Sequence, residues 1–346
     1  MSELDLKNLS LIELEDFLKA NHCPAYHSRQ VFSWVYKKGA GDFKTMSDLP
    51  RELRKLLEEK FYLGKLEPVK KETSQDKTLK LLFALEDGNF IESAVIPTAA
   101  RKTACISSQV GCRFKCGFCA SGIGGWQRNL TVAEIINQVV ALNRAVFPQR
   151  VSHIVFMGTG EPLDNYENVL RSIRVINSPQ GLGIAARRIT ISSCGIIPGI
   201  ERLSREGLQI ELSISLHAGD DATRNRLMPV NKKYPLAELI ESCKRYAQVT
   251  KRQVTFEYIL IRGVNSNLGS ALNLAKYLKG WECKLNLIPY NPIPEFSFEP
   301  PQKMETLLFQ DRLVKAGIKV TIRMPRGRDI RAACGQLRYY ARLNSR

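Results

Sequence analysis

Three cysteines on one short loop constrain this chain more than any other feature of its sequence. They are Cys112, Cys116 and Cys119, separated by three and by two residues. Three thiolates spaced in this way can bind three irons of a [4Fe–4S] cluster and leave the fourth iron without a protein ligand. An iron without a protein ligand can bind a reactant and take part in its chemistry, in addition to transferring electrons. The loop therefore predicts a catalytic iron–sulfur cluster.

Two other interpretations of this loop stay open from the residues alone. A structural zinc site normally uses four ligands in two pairs of Cys or His, and here only Cys105 lies near the loop. Three buried cysteines that bind no metal are the second alternative. The spacing, with Phe118 directly before the third cysteine, favours the iron–sulfur cluster over both.

The composition is that of a soluble globular protein. The chain has 346 residues, of which 44% are hydrophobic and 25% charged, enough for one barrel-sized domain and a smaller one. No apolar run approaches the roughly 18 residues of a membrane span, and Met1–Lys7 lacks the basic-then-apolar order of a signal peptide. Nine unevenly spread cysteines fit a reducing compartment. We therefore expect a cytoplasmic monomer with no membrane partner.

The net charge of +17 indicates a polyanionic partner, most simply a nucleic acid. The charge is concentrated near the end of the chain, where residues 319–346 contain eight Lys or Arg and a single acid, Asp329. A protein that is merely basic is the alternative, and this uneven distribution argues against it.

The first part of the chain, residues 1–64, has helical periodicity. Ser10 and Glu13 have the spacing of a capping box at the start of the first helix. We predict a helical N-terminal accessory domain, which either contacts RNA phosphates or packs as a cap on the main domain.

The remainder divides into three further predicted parts. Residues 65–97 predict a β-hairpin linker that carries Glu92 on its second strand. Residues 98–337 alternate strand-like and helix-like segments, which indicates an α/β fold with a parallel sheet, open or closed into a barrel. Residues 338–346 form a short basic tail.

Functional groups gather at the carboxyl ends of strands in such sheets. Gly160 and Glu161 follow a predicted strand over 151–157; the glycine lets a ligand approach closely, and the carboxylate can accept a hydrogen bond from an ammonium group. The other positions at predicted strand ends are Ser192, Ser215, Leu216, His217 and Asn291. Each alone is ordinary, and a single histidine is more often structural, but together they predict a ring of ligand contacts.

Cys334 is the last residue that suggests chemistry. It lies between small residues in a segment rich in arginine, where positive charge lowers a thiol pKa and makes the sulfur nucleophilic. A buried free cysteine is the alternative.

Four segments together resemble the motifs of a known family. They are Cys105–Cys112, the three-cysteine loop, Met157–Pro162 and Ala332–Leu337. In this order they resemble the RlmN/Cfr family of radical S-adenosylmethionine (SAM) RNA methyltransferases. The resemblance runs from Glu92 to Leu337 and, with a compatible helical N-terminus, covers nearly the whole chain. It implies a partial (β/α)6 barrel and methylation of an adenine ring carbon.

The resemblance implies roles for the residues singled out above. Cys112, Cys116 and Cys119 would hold one [4Fe–4S] cluster whose open iron binds SAM and generates a 5′-deoxyadenosyl radical. The implied SAM contacts are Gly160, Glu161, Ser192, Ser215, Leu216, His217 and Asn291. Flavodoxin or ferredoxin is the implied electron donor.

Three further residues carry implied catalytic roles. Cys334 would take a methyl group and become S-methylcysteine, Glu92 would accept the ring proton, and Cys105 would resolve the intermediate through a transient disulfide with Cys334. These roles rest on the resemblance, although cleavage of a carbon–sulfur bond by a second thiolate is chemically reasonable.

Pro162 resembles the RlmN branch, which implies methylation of carbon 2 of adenine-2503 in 23S rRNA, and also of adenine-37 in tRNA. The Cfr branch, which methylates carbon 8 of the same rRNA adenine, is the nearest alternative. A radical SAM enzyme acting on a peptide or small molecule and a zinc-containing RNA-binding module are more distant ones.

Overall fold

The computed structural model describes residues 4–324 and 326–330, so Cys334 and the predicted tail lie outside the described residues. The helices are α1 (Leu11–Ala20), α2 (His27–Phe32), α3 (Arg51–Lys60), α4 (Val132–Ala145), α5 (Tyr166–Asn177), α6 (Ile197–Leu203), α7 (Asp221–Leu227), α8 (Leu236–Thr250), α9 (Leu268–Leu278) and α10 (Lys303–Lys315). The strands are β1 (Leu4–Asp5), β2 (Phe61–Tyr62), β3 (Pro68–Thr73), β4 (Leu79–Ala84), β5 (Phe90–Pro97), β6 (Lys102–Cys105), β7 (Gln109–Gly111), β8 (Trp126–Asn129), β9 (His153–Phe156), β10 (Ile189–Ser193), β11 (Glu211–Ser215), β12 (Val254–Leu260), β13 (Lys284–Pro289) and β14 (Lys319–Ile322).

A ten-stranded sheet in the order β14-β13-β12-β11-β10-β9-β6-β5-β4-β3 forms the body of the molecule. All neighbours from β6 to β14 are parallel. In this parallel part of the sheet, the strands β6, β9, β10, β11, β12 and β13 are followed along the chain by the helices α4, α5, α6, α8, α9 and α10, respectively. β14 is a seventh parallel strand after the last helix. The predicted partial (β/α)6 architecture is thereby confirmed.

The two faces of the parallel strands differ in polarity. Alternate residues such as Ile154, Ile191 and Leu212 are buried in the main apolar core. Residues of the opposite face include Glu257, which is paired in register with Ser215 on one side and Asn286 on the other. Because paired residues of neighbouring strands point to the same face, the sheet has a polar inner face on which a site can form.

The predicted β4–β5 hairpin is present and extends the main sheet, because β5 pairs with β6. β3 was not predicted from the sequence, since its residues Pro68–Thr73 are almost all exposed and show no apolar alternation. The division of the chain at residues 64, 97 and 337 stays a prediction.

The N-terminal helices pack on the main domain. Ser10 and Glu13 form the predicted capping box, and the apolar faces of α1, α2 and α3 share one core with Val132 and Ile136 of α4. Asn8 accepts a hydrogen bond from the backbone N–H of Ala133 at 2.9 Å. These contacts are those expected of a helical cap. Across the described parts of the chain, no helix combines the length and apolar character that crossing a membrane requires.

Candidate active site

The three-cysteine loop is held at its base by a short antiparallel pair, β7 with β8. The backbone N–H of Cys112 donates to the Gly125 carbonyl at 3.3 Å, and that of Cys119 donates to the Cys116 carbonyl at 3.1 Å. Lys115 adopts a left-handed φ of 48°, and a Cβ on Gly122 would lie 3.0 Å from its Cα. Glycine at position 122 is therefore what lets the loop fold back on itself.

The three cysteines are half-buried and lie near enough to one another for their charges to interact. Burial raises the pKa of Cys112 to about 12, and the charge of Cys119 adds to the effect. Burial also raises the pKa of Cys116, reinforced by Cys119 and Cys112. In Cys119 burial again raises the pKa, while hydrogen bonds from backbone N–H groups oppose it. Such thiols stay protonated by themselves and become thiolates when a metal supplies the compensating charge.

The chemistry of the three thiols suits an iron–sulfur cluster. Within residues 4–324 and 326–330, no three Cys, His, Asp or Glu side chains converge on a point that could hold one metal ion. Thiolates that each bind a different iron of a cluster do not have to converge in this way. The soft donor set, the burial and the amide hydrogen bonds all suit iron and sulfide.

The glycines after β9 bring two parts of the site into contact. A Cβ on Gly158 would lie 2.6 Å from Ser107 Oγ, and a Cβ on Gly160, where φ is 106°, would lie 2.7 Å from the Gln109 backbone nitrogen. The sequence predicted glycine here for approach to a ligand. The structure shows that both glycines are required by contact with the protein itself, because the end of β9 packs against the segment that enters the cysteine loop.

Glu161 is buried and preorganised by two backbone amides. Its Oε1 accepts from the Leu163 N–H at 3.0 Å and its Oε2 from the Cys194 N–H at 2.7 Å. Burial raises the pKa of this carboxyl, and the amide hydrogen bonds oppose that rise. A carboxylate has about four acceptor positions, so Glu161 retains the capacity to accept from an ammonium group.

His217 connects β11 to the cysteine loop. Its ring packs edge-on against Phe118, with ring centroids 4.7 Å apart, and its Nδ1 accepts from the Ile259 N–H at 3.0 Å. Burial, with the nearby charge of Arg224, lowers its pKa to about 3. The imidazole is therefore neutral and carries its proton on Nε2, where it can donate to a ligand.

The other predicted contacts lie at neighbouring strand ends. Ser192 and Ser215 are half-buried residues of β10 and β11, and Asn291 is half-buried just beyond β13. The Leu216 side chain is fully buried, and its backbone N–H donates to the Glu257 carbonyl at 3.0 Å. Leu216 can therefore contact a ligand only through apolar packing of its side chain. The side chains of the two serines and the asparagine are partly accessible to solvent.

Glu92 lies on the inner face of β5, beside β4 and β6. A glutamate on a predicted hairpin strand is normally solvated, yet Glu92 is 3% exposed, and its Oε2 lies 3.7 Å from Nζ of the equally buried Lys80. Ala94 pairs with Lys80 on one side and with Cys105 on the other, and Glu92 is two residues from Ala94, so the side chains of Glu92, Lys80 and Cys105 share one face. Lys80 was missed because lysine is rarely buried.

Cys105 is held as a protonated thiol in this arrangement. Burial raises its pKa to about 12, helped by the negative charge of Glu92, while the charges of Lys80 and Arg323 oppose the rise. β6 ends at Cys105 and leads within a few residues into the cysteine loop. The Glu92 carboxylate lies near enough to the cysteine loop for its charge to help raise the pKa of Cys119.

Sequence reasoning also missed two buried charged residues. Glu257 Oε1 accepts from Ser213 Oγ and from Asn286 Nδ2, both at 3.0 Å, while its Oε2 has no hydrogen-bond partner among the described residues. A charged residue at an inner position of a predicted strand is the signal that would have identified it. Arg224, on the unpredicted helix α7, is fully buried and had no such signal.

Arg224 ties together the ends of two strands. Its guanidinium donates to the Cys194 carbonyl at 2.8 Å, the Leu216 carbonyl at 3.1 Å and Asn231 Oδ1 at 2.8 Å. These bonds hold the carboxyl ends of β10 and β11, where Ser192 and Ser215 lie.

Replacing Arg224 with methionine should lower the free energy of unfolding by about 3 kcal/mol, because several buried acceptors lose their donor. For a chain of this size that corresponds to a fall of roughly 5 °C in the melting temperature, measurable by differential scanning fluorimetry. The matched control is Arg226→Met in the same helix, where the side chain is exposed and little change is expected. Equal melting temperatures for the two variants would contradict the stabilising role of Arg224.

Comparison with known proteins identifies families that this chain resembles in sequence. Residues 106–275 match the Radical SAM superfamily, and residues 4–63 match the Ribosomal RNA large subunit methyltransferase N-terminal domain. The chain is 45% identical to a probable dual-specificity RNA methyltransferase RlmN of Thermoanaerobacter sp., over 96% of this chain and 97% of that one. It is also 45% identical to the dual-specificity RNA methyltransferase RlmN of Desulfotalea psychrophila, over 97% and 95%.

A solved structure is similar over the same extent. The crystal structure of a radical SAM methyltransferase from Sphaerobacter thermophilus superimposes with a TM-score of 0.92 at 44% sequence identity, covering 96% of this chain and 98% of the other. Both the barrel and the helical N-terminal part therefore have counterparts in that protein.

Proposed function

The chain belongs to the RlmN family of radical SAM RNA methyltransferases, and on this premise we propose that it methylates carbon 2 of adenine-2503 in 23S rRNA and of adenine-37 in tRNA. The observation that carries the proposal is the position of Glu92 and Cys105 on the same inner face, with Glu92 near Cys119 of the cysteine loop. Besides a radical source and the methyl carrier Cys334, this methylation needs a base and a second thiol.

Membership of the radical SAM superfamily implies an iron–sulfur cluster and SAM. We propose Cys112, Cys116 and Cys119 as the ligands of one [4Fe–4S] cluster, which with SAM bound supplies a 5′-deoxyadenosyl radical. Glu161 and the neutral His217 are suited by their remaining acceptor and donor capacity to orient SAM. The remaining proposed SAM contacts are Gly160, Ser192, Ser215, Leu216 and Asn291.

The protein's own residues perform the other steps. Cys334 takes a methyl group as S-methylcysteine and becomes joined to the adenine ring through that carbon. Glu92 accepts the proton that carbon 2 must lose, and its buried partner Lys80 offsets the cost of holding a carboxylate away from water. The Cys105 thiolate then attacks the Cys334 sulfur and forms the S–S bond, while the bond between that sulfur and the transferred carbon breaks. The electron pair of the broken bond passes to the carbon, which takes up a proton and remains on the base as its methyl group.

The positive charge of the chain supports an RNA substrate, since the net charge is +17 and phosphate contacts dominate the affinity for nucleic acids. Flavodoxin or ferredoxin is the proposed electron donor, and we propose that the enzyme acts as a monomer.

Deleting the gene is expected to remove 2-methyladenosine from 23S rRNA and tRNA, and restoring it should return the modification. Liquid chromatography with mass spectrometry of nucleosides from both RNAs, against synthetic 2-methyl- and 8-methyladenosine, is the measurement. Loss of 8-methyladenosine instead would assign the chain to the Cfr-type reaction, and an unchanged 2-methyladenosine content in both RNAs would contradict the proposal.

Metal analysis distinguishes the more distant alternative. An RNA-binding module with structural zinc would contain zinc and no acid-labile sulfide after anaerobic purification, whereas the proposed enzyme contains iron and sulfide in similar amounts.

A further inference from the structure

The segment that follows β14 is fastened to a turn at the far edge of the sheet. Asp329 Oδ1 accepts from Ser74 Oγ at 2.5 Å, and its Oδ2 accepts from the Gln75 N–H at 2.9 Å. In the reverse direction, the Gly327 N–H donates to Asp76 Oδ2 at 3.0 Å. We call this set of contacts the edge clasp: Ser74, Gln75 and Asp76 on one side, Gly327 and Asp329 on the other.

The clasp joins parts of the fold that are distant in the sheet order. Ser74–Asp76 belong to the turn between β3 and β4, and β3 is one end strand of the sheet, whereas β14 is the other. The sheet therefore curls until the chain beyond one edge reaches the turn beside the opposite edge. No backbone ladder joins β3 to β14 among the described residues, so side-chain carboxylates provide this connection.

The turn is built to present Asp76 in a fixed position. Asp76 Oδ1 accepts from the Thr78 N–H at 2.9 Å, and the Asp76 N–H donates to Ser74 Oγ at 3.3 Å. Burial would raise the pKa of Asp76, but hydrogen bonds from Thr78 and Gly327 outweigh it and hold the pKa at about 2. The Asp76 carboxyl group is thus ionised at neutral pH. Its Oδ1 accepts a hydrogen bond within the turn, and its Oδ2 accepts one from Gly327 in the clasp.

The clasp lies at the start of the segment that contains Cys334. Cys334 follows Ile330 by four residues in the sequence. On the other side, the turn continues directly into β4, where Lys80 lies 3.7 Å from Glu92. The clasp therefore connects the origin of the Cys334 segment to the turn before β4, and β4 pairs with β5, the strand that carries the proposed base.

We propose that the edge clasp is a positioning device for Cys334, in which Asp76 and Asp329 fix the origin of its segment relative to Glu92 and Cys105. The inference rests on the proposed function, because it assigns Cys334 to the methyl transfer. A thiol that must meet a methyl donor, a base and a second thiol in turn gains from having one end of its segment fixed, since each encounter then loses less conformational freedom. Neither aspartate touches the reacting atoms.

The test is the double variant Asp76→Asn/Asp329→Asn in the full-length holoenzyme, assayed anaerobically with dithionite and a transcribed 23S rRNA fragment. We expect the yield of methylated RNA per 5′-deoxyadenosine formed to fall tenfold or more, while iron content, melting temperature and the rate of SAM cleavage stay close to those of the unmodified enzyme. Deuterium exchange of peptides covering 74–78 and 326–330 should become faster. The matched control is Glu282→Gln, which removes an exposed carboxylate paired with Lys319 on the same end strand.

Two results would overturn the inference. An unchanged ratio of methylated RNA to 5′-deoxyadenosine shows that the clasp does not position Cys334, and a parallel loss of iron or of SAM cleavage shows that it merely supports the fold. Cys334→Ala, assayed alongside, separates this outcome from a failure of the proposed function. If that variant still methylates RNA, the proposed function fails; if it is inactive while the double variant is normally coupled, only the clasp fails.

Discussion

Replacing Cys334 with alanine is expected to abolish RNA methylation while leaving SAM cleavage intact. Adenine carbon 2 and the methyl group of SAM are both electrophilic, so the methyl carbon needs a carrier on which it becomes a radical before it meets the ring. Alanine cannot carry a methyl group, whereas the residues proposed for the cluster and for SAM lie elsewhere in the chain. We expect less than about one-thousandth of the normal methylation rate, as for loss of a covalent nucleophile.

The measurement combines two readouts on one sample. Incorporation of methyl groups from isotopically labelled SAM reports methylation, and 5′-deoxyadenosine reports SAM cleavage. Cys23→Ala is the matched control, because Cys23 is a partly buried cysteine of the N-terminal core remote from the proposed steps, and its methylation should be unchanged. Methylation by Cys334→Ala at a rate near normal would refute a covalent carrier, and loss of iron and sulfide from that variant would mean that Cys334 serves the cluster instead.

The sequence predicted those features whose physical cause is local. Alternating strand and helix patterns identified the parallel sheet, and the predicted strands correctly placed Glu161 after β9 and Ser215 at the end of β11. The Ser10 capping box and the β4–β5 turn also depend on residues a few positions apart, and both are present. Periodicity and turn chemistry were sufficient in each case.

Features that depend on distant partners could not be predicted. Lys80 stands in an apolar run, and only the pairing of β4 with β5 shows that its charge is matched by Glu92. Arg224 donates mainly to the backbone carbonyls of residues that follow β10 and β11, and no side-chain pattern in the sequence predicts such acceptors. Ser74 and Asp329 are 255 residues apart, and their contact depends on how far the whole sheet curls.

Replacing Cys105 with alanine is expected to trap the enzyme on its RNA. Once Cys334 is joined to the base through the transferred carbon, release requires a second thiolate to attack the Cys334 sulfur. Cys105 lies on the same face as the Lys80–Glu92 pair, and without its thiol that attack cannot occur. A protein–RNA species should therefore accumulate, visible as a band on denaturing gels that reduction with dithiothreitol does not dissolve. Digestion with nuclease and mass spectrometry should then find the modified adenosine on the peptide that contains Cys334.

The buried setting of Cys105 gives this step its own pH dependence. Burial and the charge of Glu92 raise the pKa of the thiol to about 12, against the opposing charges of Lys80 and Arg323. A thiol with a raised pKa is almost entirely protonated near neutrality, so its thiolate fraction grows about tenfold per pH unit below the pKa. In a single turnover of the unmodified enzyme, decay of the adduct should accelerate with pH between about 7 and 9, whereas the adduct of Cys105→Ala should persist throughout.

Normal turnover by Cys105→Ala would remove Cys105 from the mechanism. If the rate of adduct decay in the unmodified enzyme does not depend on pH, another group takes the proton of the Cys105 thiol before the attack.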